Sequence, residues 1–158
     1  MKKRILSTTL LALATAGLMI LGTARSAPAN NGCSNATLHG SYGFRATGDV
    51  LSGPAAGPTA SVGIVEYDGG GQLTASLTQR VNGAAGPTTV SNQFTGTYSV
   101  NPDCTVEDVW RNVATGATST HQSAITDHGR GFFIIGTSGT GILTAEGRKV
   151  FPGDDDRN

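Results

Sequence analysis

The sequence predicts an all-β fold, an antiparallel up-and-down barrel of about eight strands, with a β-sandwich as the alternative. Three observations predict it. Apolar residues alternate with period 2, and no window after residue 27 sustains the 3.6-residue stripe of an amphipathic helix. Gly, Thr and Ser fill 48 of the 131 positions from Pro28 on, a composition suited to turns and polar sheet faces. Clusters of Gly, Pro, Asn and Asp interrupt the alternating runs every 10–15 residues, so short turns join consecutive strands. Closing such a meander into a barrel removes both exposed edges. Strand number alone leaves the sandwich open.

The strands follow in order. In Ala36–Thr47, Leu38, Tyr42, Phe44 and Ala46 share one face, while His39, Ser41 and Arg45 take the other, which places Arg45 toward solvent. Gly53–Pro58 marks a longer loop. Thr59–Tyr67 sets Val62 and Ile64 against Ser61 and Val65, and Glu66 shares the parity of Val62 and Ile64. Asp68-Gly69-Gly70-Gly71 makes a tight hairpin, since glycine supplies the positive φ it requires. Gln72–Val81 turns Leu73, Ala75, Leu77 and Val81 inward, with Thr74, Ser76, Thr78 and Arg80 outward. Thr88–Val100 places Val90, Phe94, Tyr98 and Val100 on one parity. Asn101-Pro102-Asp103 then turns the chain into Cys104–Val113. The turn Thr115-Gly116 leads to Ala117–Thr126, Asp127-His128-Gly129-Arg130 to Gly131–Gly136, and Thr140–Val150 closes the set.

Residues 1–27 read as a secretory signal peptide rather than a membrane anchor. Lys2, Lys3 and Arg4 form a positive start, Ile5–Leu21 an apolar stretch diluted by Ser and Thr, and small residues follow up to Ala27. Without that segment, 7 basic residues face 11 acidic ones over 28–158, which describes a mildly acidic secreted or periplasmic chain whose domain spans 28–152. The acidic tail 153–158 is expected to be disordered and solvated. Cys33 and Cys104 form one even pair in an oxidising compartment, so a disulfide is expected; Cys33 precedes the first strand and Cys104 opens the fifth.

Composition also excludes. There is no basic cluster for nucleic acid. The nine aromatics are too few for the two girdles of an outer-membrane barrel, so no stable membrane insertion is expected. Two lone cysteines and the scattered His39, His121 and His128 lack metal-ligand spacing, and no cofactor motif is present.

The stretches Cys33-Ser-Asn-Ala-Thr-Leu-His-Gly-Ser-Tyr-Gly-Phe44, Tyr67-Asp-Gly-Gly-Gly-Gln-Leu-Thr74 and Gly96-Thr-Tyr-Ser-Val-Asn-Pro-Asp-Cys104 resemble those of a group of small exported bacterial proteins. The resemblance covers most of the chain beyond the leader. It implies a compartment and a disulfide, but no activity. In rhythm, Val62-Gly63, Gly96-Thr97-Tyr98 and the glycine-rich run Gly136–Gly147 are similar to the allene oxide cyclase and dirigent barrels. That likeness implies topology, and it carries over no catalytic residue.

Three arrangements touch on chemistry. Asp108-Val-Trp-Arg111 would set a carboxylate beside a flat aromatic if Asp108 and Trp110 face inward. Glu66, if inward, would be a desolvated acid. His121 with Asp127-His128 would form an acid/base pair, although Asp-His-Gly is also an ordinary turn sequence. Small inward residues (Gly40, Ala46, Ala75, Gly96 and Ala124) among large ones predict an apolar cavity near Tyr42, Tyr98 and Trp110, with Asp108 or Glu66 supplying polarity. The expected function is binding of a small hydrophobic molecule or an envelope component. The alternatives are a cyclase or isomerase that works by cavity shape, and a structural envelope protein without a ligand.

Overall fold

The computed structural model describes residues 32–83, 86–139 and 141–150. The expected leader 1–27 and tail 153–158 lie outside them. Eight strands, β1 (His39–Val50), β2 (Gly57–Asp68), β3 (Gln72–Gly83), β4 (Gly86–Val100), β5 (Thr105–Asn112), β6 (Thr118–Thr126), β7 (Gly131–Gly136) and β8 (Gly141–Lys149), follow one another around a closed barrel. Each strand pairs antiparallel with the next, and β8 returns to β1 in the register Ala46↔Ala145. This settles barrel against sandwich. The strand order is the one the sequence predicts. The first strand starts later than expected because Asn35–Thr37 winds into a 3-10 turn.

The period-2 rule places Leu38, Tyr42, Phe44, Leu73 and Tyr98 correctly in the core, where Val106, Trp110, Phe132 and Ile134 join them. On β2 the expected parity is reversed. Val65 and Tyr67 are buried, while Val62 and Glu66 face solvent and Ile64 is 37% exposed. Both parities of this strand are apolar, so its pattern alone cannot choose. Its partners do choose, because Val65 lies opposite inward Tyr42 on one side and inward Ala75 on the other. Of the small residues expected inside, Gly40 and Ala124 are exposed, the latter opposite exposed Phe133. Arg45 is outside as expected, with its Nε 2.6 Å from Glu146 Oε1 on the neighbouring strand.

The two ends of the barrel differ. At one end the 3-10 turn Asn35–Thr37 lies across the opening. Val100 N–H donates to Asn35 Oδ1 at 2.8 Å, and Asn35 Nδ2 donates to Gly70 O at 3.4 Å. Tyr98 Oη donates to Leu38 O at 2.9 Å and to Asn35 O at 3.1 Å. Cys33, just before the turn, is bonded to Cys104 across 71 residues of chain. Beneath this plug, Tyr42, Tyr67, Tyr98 and Phe132 pack with neighbouring ring centroids 4.9–6.0 Å apart, edge-on or tilted. These geometries suit the ring quadrupoles. Burial is the main reason all three phenols of the chain ionise above their ordinary range.

The β2–β3 hairpin shows how sequence becomes a turn. Gly69 (φ 77°) and Gly71 (φ 117°) occupy the left-handed region. Asp68 Oδ1 accepts from the amides of Gly70, Gly71 and Gln72 at 2.7, 2.9 and 2.9 Å. These donors, Gln72 first, hold the Asp68 carboxyl below the usual Asp range. The sign follows by linkage: the contribution is present above the ordinary carboxyl pKa and is lost as pH falls through the lowered native one. An NMR titration should therefore show the Gly70, Gly71 and Gln72 amide shifts moving together, with a midpoint below that of an unstructured Asp. Movement at the ordinary midpoint would refute the assignment.

Candidate functional site

The other half of the interior is not filled. The inward parity of β5 carries Val106, Asp108 and Trp110, and that of β6 carries Ser119, His121 and Ser123. The register sets Asp108 directly opposite His121, so the two side chains project side by side into the barrel. His121 Nδ1 lies 2.7 Å from Asp108 Oδ1, and Ser123 Oγ donates to Asp108 Oδ2 at 3.4 Å. The Asp108 side chain is fully buried and that of His121 is 11% exposed. A lone carboxylate in such a place would be costly; hydrogen bonds to both oxygens offset part of the desolvation. Because a carboxylate only accepts, Nδ1 carries the hydrogen of this contact. The charge of Asp108 also reaches Tyr67, where it adds to burial in pushing the phenol pKa up.

Trp110 stands next to this pair, with its ring centroid 5.5 Å from that of His121 and the planes at 74°. Phe44 and Phe94 hold it from the other sides at 5.9 and 5.7 Å. Its indole Nε1 is buried without a hydrogen-bond partner, the only such side-chain atom among the described residues. An unpaired buried N–H costs roughly 1–3 kcal/mol.

Trp110, His121, Phe44 and Phe94 border a cavity of about 120 Å3 to which all eight strands contribute. Phe44, Phe94, Trp110, Ile134, Leu143 and the two alanines Ala46 and Ala145 form most of its wall, and Ser61, Gln79, Ser119 and His121 supply polarity. An eight-stranded barrel is just wide enough for side chains to fill it or for one small ligand. For comparison, an engineered apolar cavity of ~150 Å3 binds benzene. The outer wall carries a larger groove, about 580 Å3, beside Val62, Ile64, Ser76 and Val113. None of its lining residues is buried, so the interior cavity is the candidate site.

The sequence-level site is only partly assembled. Asp108 and Trp110 come together inside the barrel. Tyr42 and Tyr98 also point inward, but at the plugged end, where the Tyr42 hydroxyl donates to Gly129 O at 2.5 Å and that of Tyr98 to the turn. They do not line the cavity. Glu66 is excluded: it is exposed and accepts from Ser41 Oγ at 3.3 Å on the outer face. His121 pairs with Asp108, while Asp127 and His128 stay exposed in a turn with φ of 52° and 54°. The signal that could have found the pair is the shared inward parity of Asp108, His121 and Ser123 on strands joined by one short turn. No group of three or more His, Cys, Asp or Glu among the described residues is arranged to hold a metal ion.

No family model and no curated protein matches the chain. Among solved structures the chain is similar to a redesigned β-barrel, at 15% identity and a TM-score of 0.48, over 74% of this chain and 95% of that one.

Proposed function

We infer that the protein is an exported binder of a single-ring, largely apolar molecule. The observation that carries this reading is the aromatic-walled interior cavity of about 120 Å3. An apolar wall favours the ring, and the few polar residues on that wall, Ser61, Gln79, Ser119 and His121, favour a polar substituent on it. For a ligand of about eight heavy atoms this supports a Kd on the order of 0.1–1 mM.

Trp110 is the only tryptophan, so its emission reports the cavity directly. Benzaldehyde and cyclohexanone should shift or quench it saturably, whereas a naphthalene dye should be too large to compete. Ala46→Leu, which adds bulk to the cavity wall, should remove the response while the far-ultraviolet spectrum stays that of the folded barrel. An emission unmoved by every one-ring probe would favour the purely structural reading.

Export rests on the leader-like sequence 1–27 and is supported by the Cys33–Cys104 bond, which suits an oxidising compartment. N-terminal sequencing of secreted or periplasmic protein should begin between Arg25 and Pro28. A mature chain beginning at Met1 would refute it.

A further inference from the structure

We propose that the open edge of β4 is a docking site for an extended peptide segment, added antiparallel as a further strand and carrying an apolar residue two positions before an acidic one. The site lies outside the cavity and is independent of the binding reading above. The barrel is closed, yet its strands are unequal: β4 runs from Gly86 to Val100, and β5 only from Thr105 to Asn112. β3 pairs with β4 from Gln72↔Thr97 to Gly83↔Gly86, whereas β5 pairs only with Phe94–Val100. Among the described residues no strand pairs with the other side of Gly86–Asn92. The exposure of the side chains agrees. Pro87, Thr88, Thr89, Val90 and Ser91 are exposed in succession, whereas the stretch from Asn92 to Val100 alternates.

Two hydrogen bonds fix the direction of the backbone groups. Val113 N–H donates to Gln93 O at 2.9 Å on the β5 side, and Tyr98 N–H donates to Gly71 O at 2.9 Å on the β3 side. The N–H and C=O of one residue point the same way and successive residues alternate, so Pro87, Thr89 and Ser91 face the open edge. The edge offers the carbonyls of all three and the amides of Thr89 and Ser91, since proline has no N–H. Natural edges are blunted by charge, proline or a covering element. Gly86–Asn92 holds no charged residue, and Pro87 stands only at its hairpin end. The neighbouring side chains choose the occupant. Arg80, opposite Thr89 on β3, donates from Nη1 to Thr89 Oγ1 at 3.0 Å, which brings the guanidinium toward the edge. A carboxylate on the added residue opposite Thr89 meets that cation. Ser91 borders the outer groove of about 580 Å3, where Val62, Ile64 and Val113 are exposed, so an apolar residue opposite Ser91 has apolar surface to cover. In an antiparallel segment the apolar position comes first. A second copy of the chain fits less well. Pairing β4 with itself about Thr89 sets two Arg80 side chains toward each other and brings the copy's β3–β4 turn against Val113, which already holds Gln93.

The probe is the capped peptide acetyl-Thr-Val-Thr-Glu-Thr-Thr-amide, with its Val meant for Ser91 and its Glu for Thr89. In proton–nitrogen correlation spectra of the protein, the amide signals of Thr89 and Ser91 should shift saturably as peptide is added. N-methylation of the Glu, whose amide faces Thr89 O, should weaken binding by roughly 10-fold. N-methylation of the Thr before it, whose amide points away from β4, should change binding by less than about 2-fold. Replacing the Glu by Gln should weaken binding about 2–5-fold in the natural protein, the range of an exposed ion pair, and should have no effect in Arg80→Gln. Ser91→Pro removes an edge donor while leaving the β3 ladder intact, and should abolish the response. Should that variant not fold, the two N-methyl peptides still decide, because they leave the protein unaltered. Absence of shifts at Thr89 and Ser91, or equal losses from the two N-methyl peptides, overturns the proposal. Shifts at these amides that grow with protein concentration in the absence of peptide assign the edge to a second copy and overturn it too. Failure of the cavity reading is seen separately, in the emission of Trp110.

Discussion

Cys104→Ala should lower the stability of the barrel by about 2–5 kcal/mol, the usual cost of losing a native bridge in a small domain. The bond joins Cys33, before the plug, to Cys104, beside β5, across 71 residues of separation. For a loop of that size the chain-entropy account puts the restriction of the unfolded chain at about 4 kcal/mol. The native state loses something as well. Cys33 N–H donates to Pro102 O at 3.2 Å, so the plug is tied to the β4–β5 turn through the covalent bond and this hydrogen bond. Denaturant titration of the natural protein with and without reductant, beside the Cys104→Ala variant, measures the effect. Unreduced natural protein should weigh 2 Da less than reduced, the mass of two hydrogens. Equal stability of variant and natural protein under oxidising conditions would show that the bridge does not constrain the barrel.

Phe132→Ala should cost about 3–5 kcal/mol, since its ring is 2% exposed and touches both Tyr42 and Tyr67. A sharper result concerns its neighbour. Gly147 on β8 lies opposite Phe132, and a Cβ placed there would run into the ring. Gly147→Ala should therefore be destabilising by about 1–3 kcal/mol, as overpacking of a filled core usually is. In a Phe132→Ala background the same change should cost almost nothing, because the obstructing ring is gone. Thermal or denaturant unfolding of the two single variants and the double variant gives the coupling energy directly. Additive losses would mean that Gly147 is needed for another reason.

The architecture is readable in the sequence because each strand ends in chemistry that admits few alternatives. Asp68 followed by three glycines makes a hairpin, and Asn101-Pro102-Asp103 ends a strand. What alternation cannot supply is the choice of face where both parities are apolar. Val62 and Ile64 look as suitable for the interior as Val65 and Tyr67 do. Only the hairpin, which sets Tyr67 opposite Leu73, decides for the second pair. Glu66 follows its strand outward for the same reason. The Asp108–His121 pair depends on register across the turn between β5 and β6, and a shift of one residue would have set Asp108 opposite a neighbour of His121 instead. Proximity in sequence suggested Asp127 and His128 as the partners, while pairing across strands set the geometry.

The contrast between the two ends of the barrel bears on how such a protein changes over generations. The half beneath the 3-10 turn carries the tyrosine cluster and the disulfide, and substitutions there act on whether the chain folds at all. The other half holds Ala46, Ala145 and Leu143 around open space, where a larger or smaller side chain alters what fits without removing a contact that the plugged end requires. Selection can therefore alter the chemistry of the cavity while the scaffold stays unchanged. A library confined to those three positions should yield folded variants at high frequency and diversify ligand preference, whereas an equal library at Tyr42, Tyr67 and Phe132 should yield few survivors.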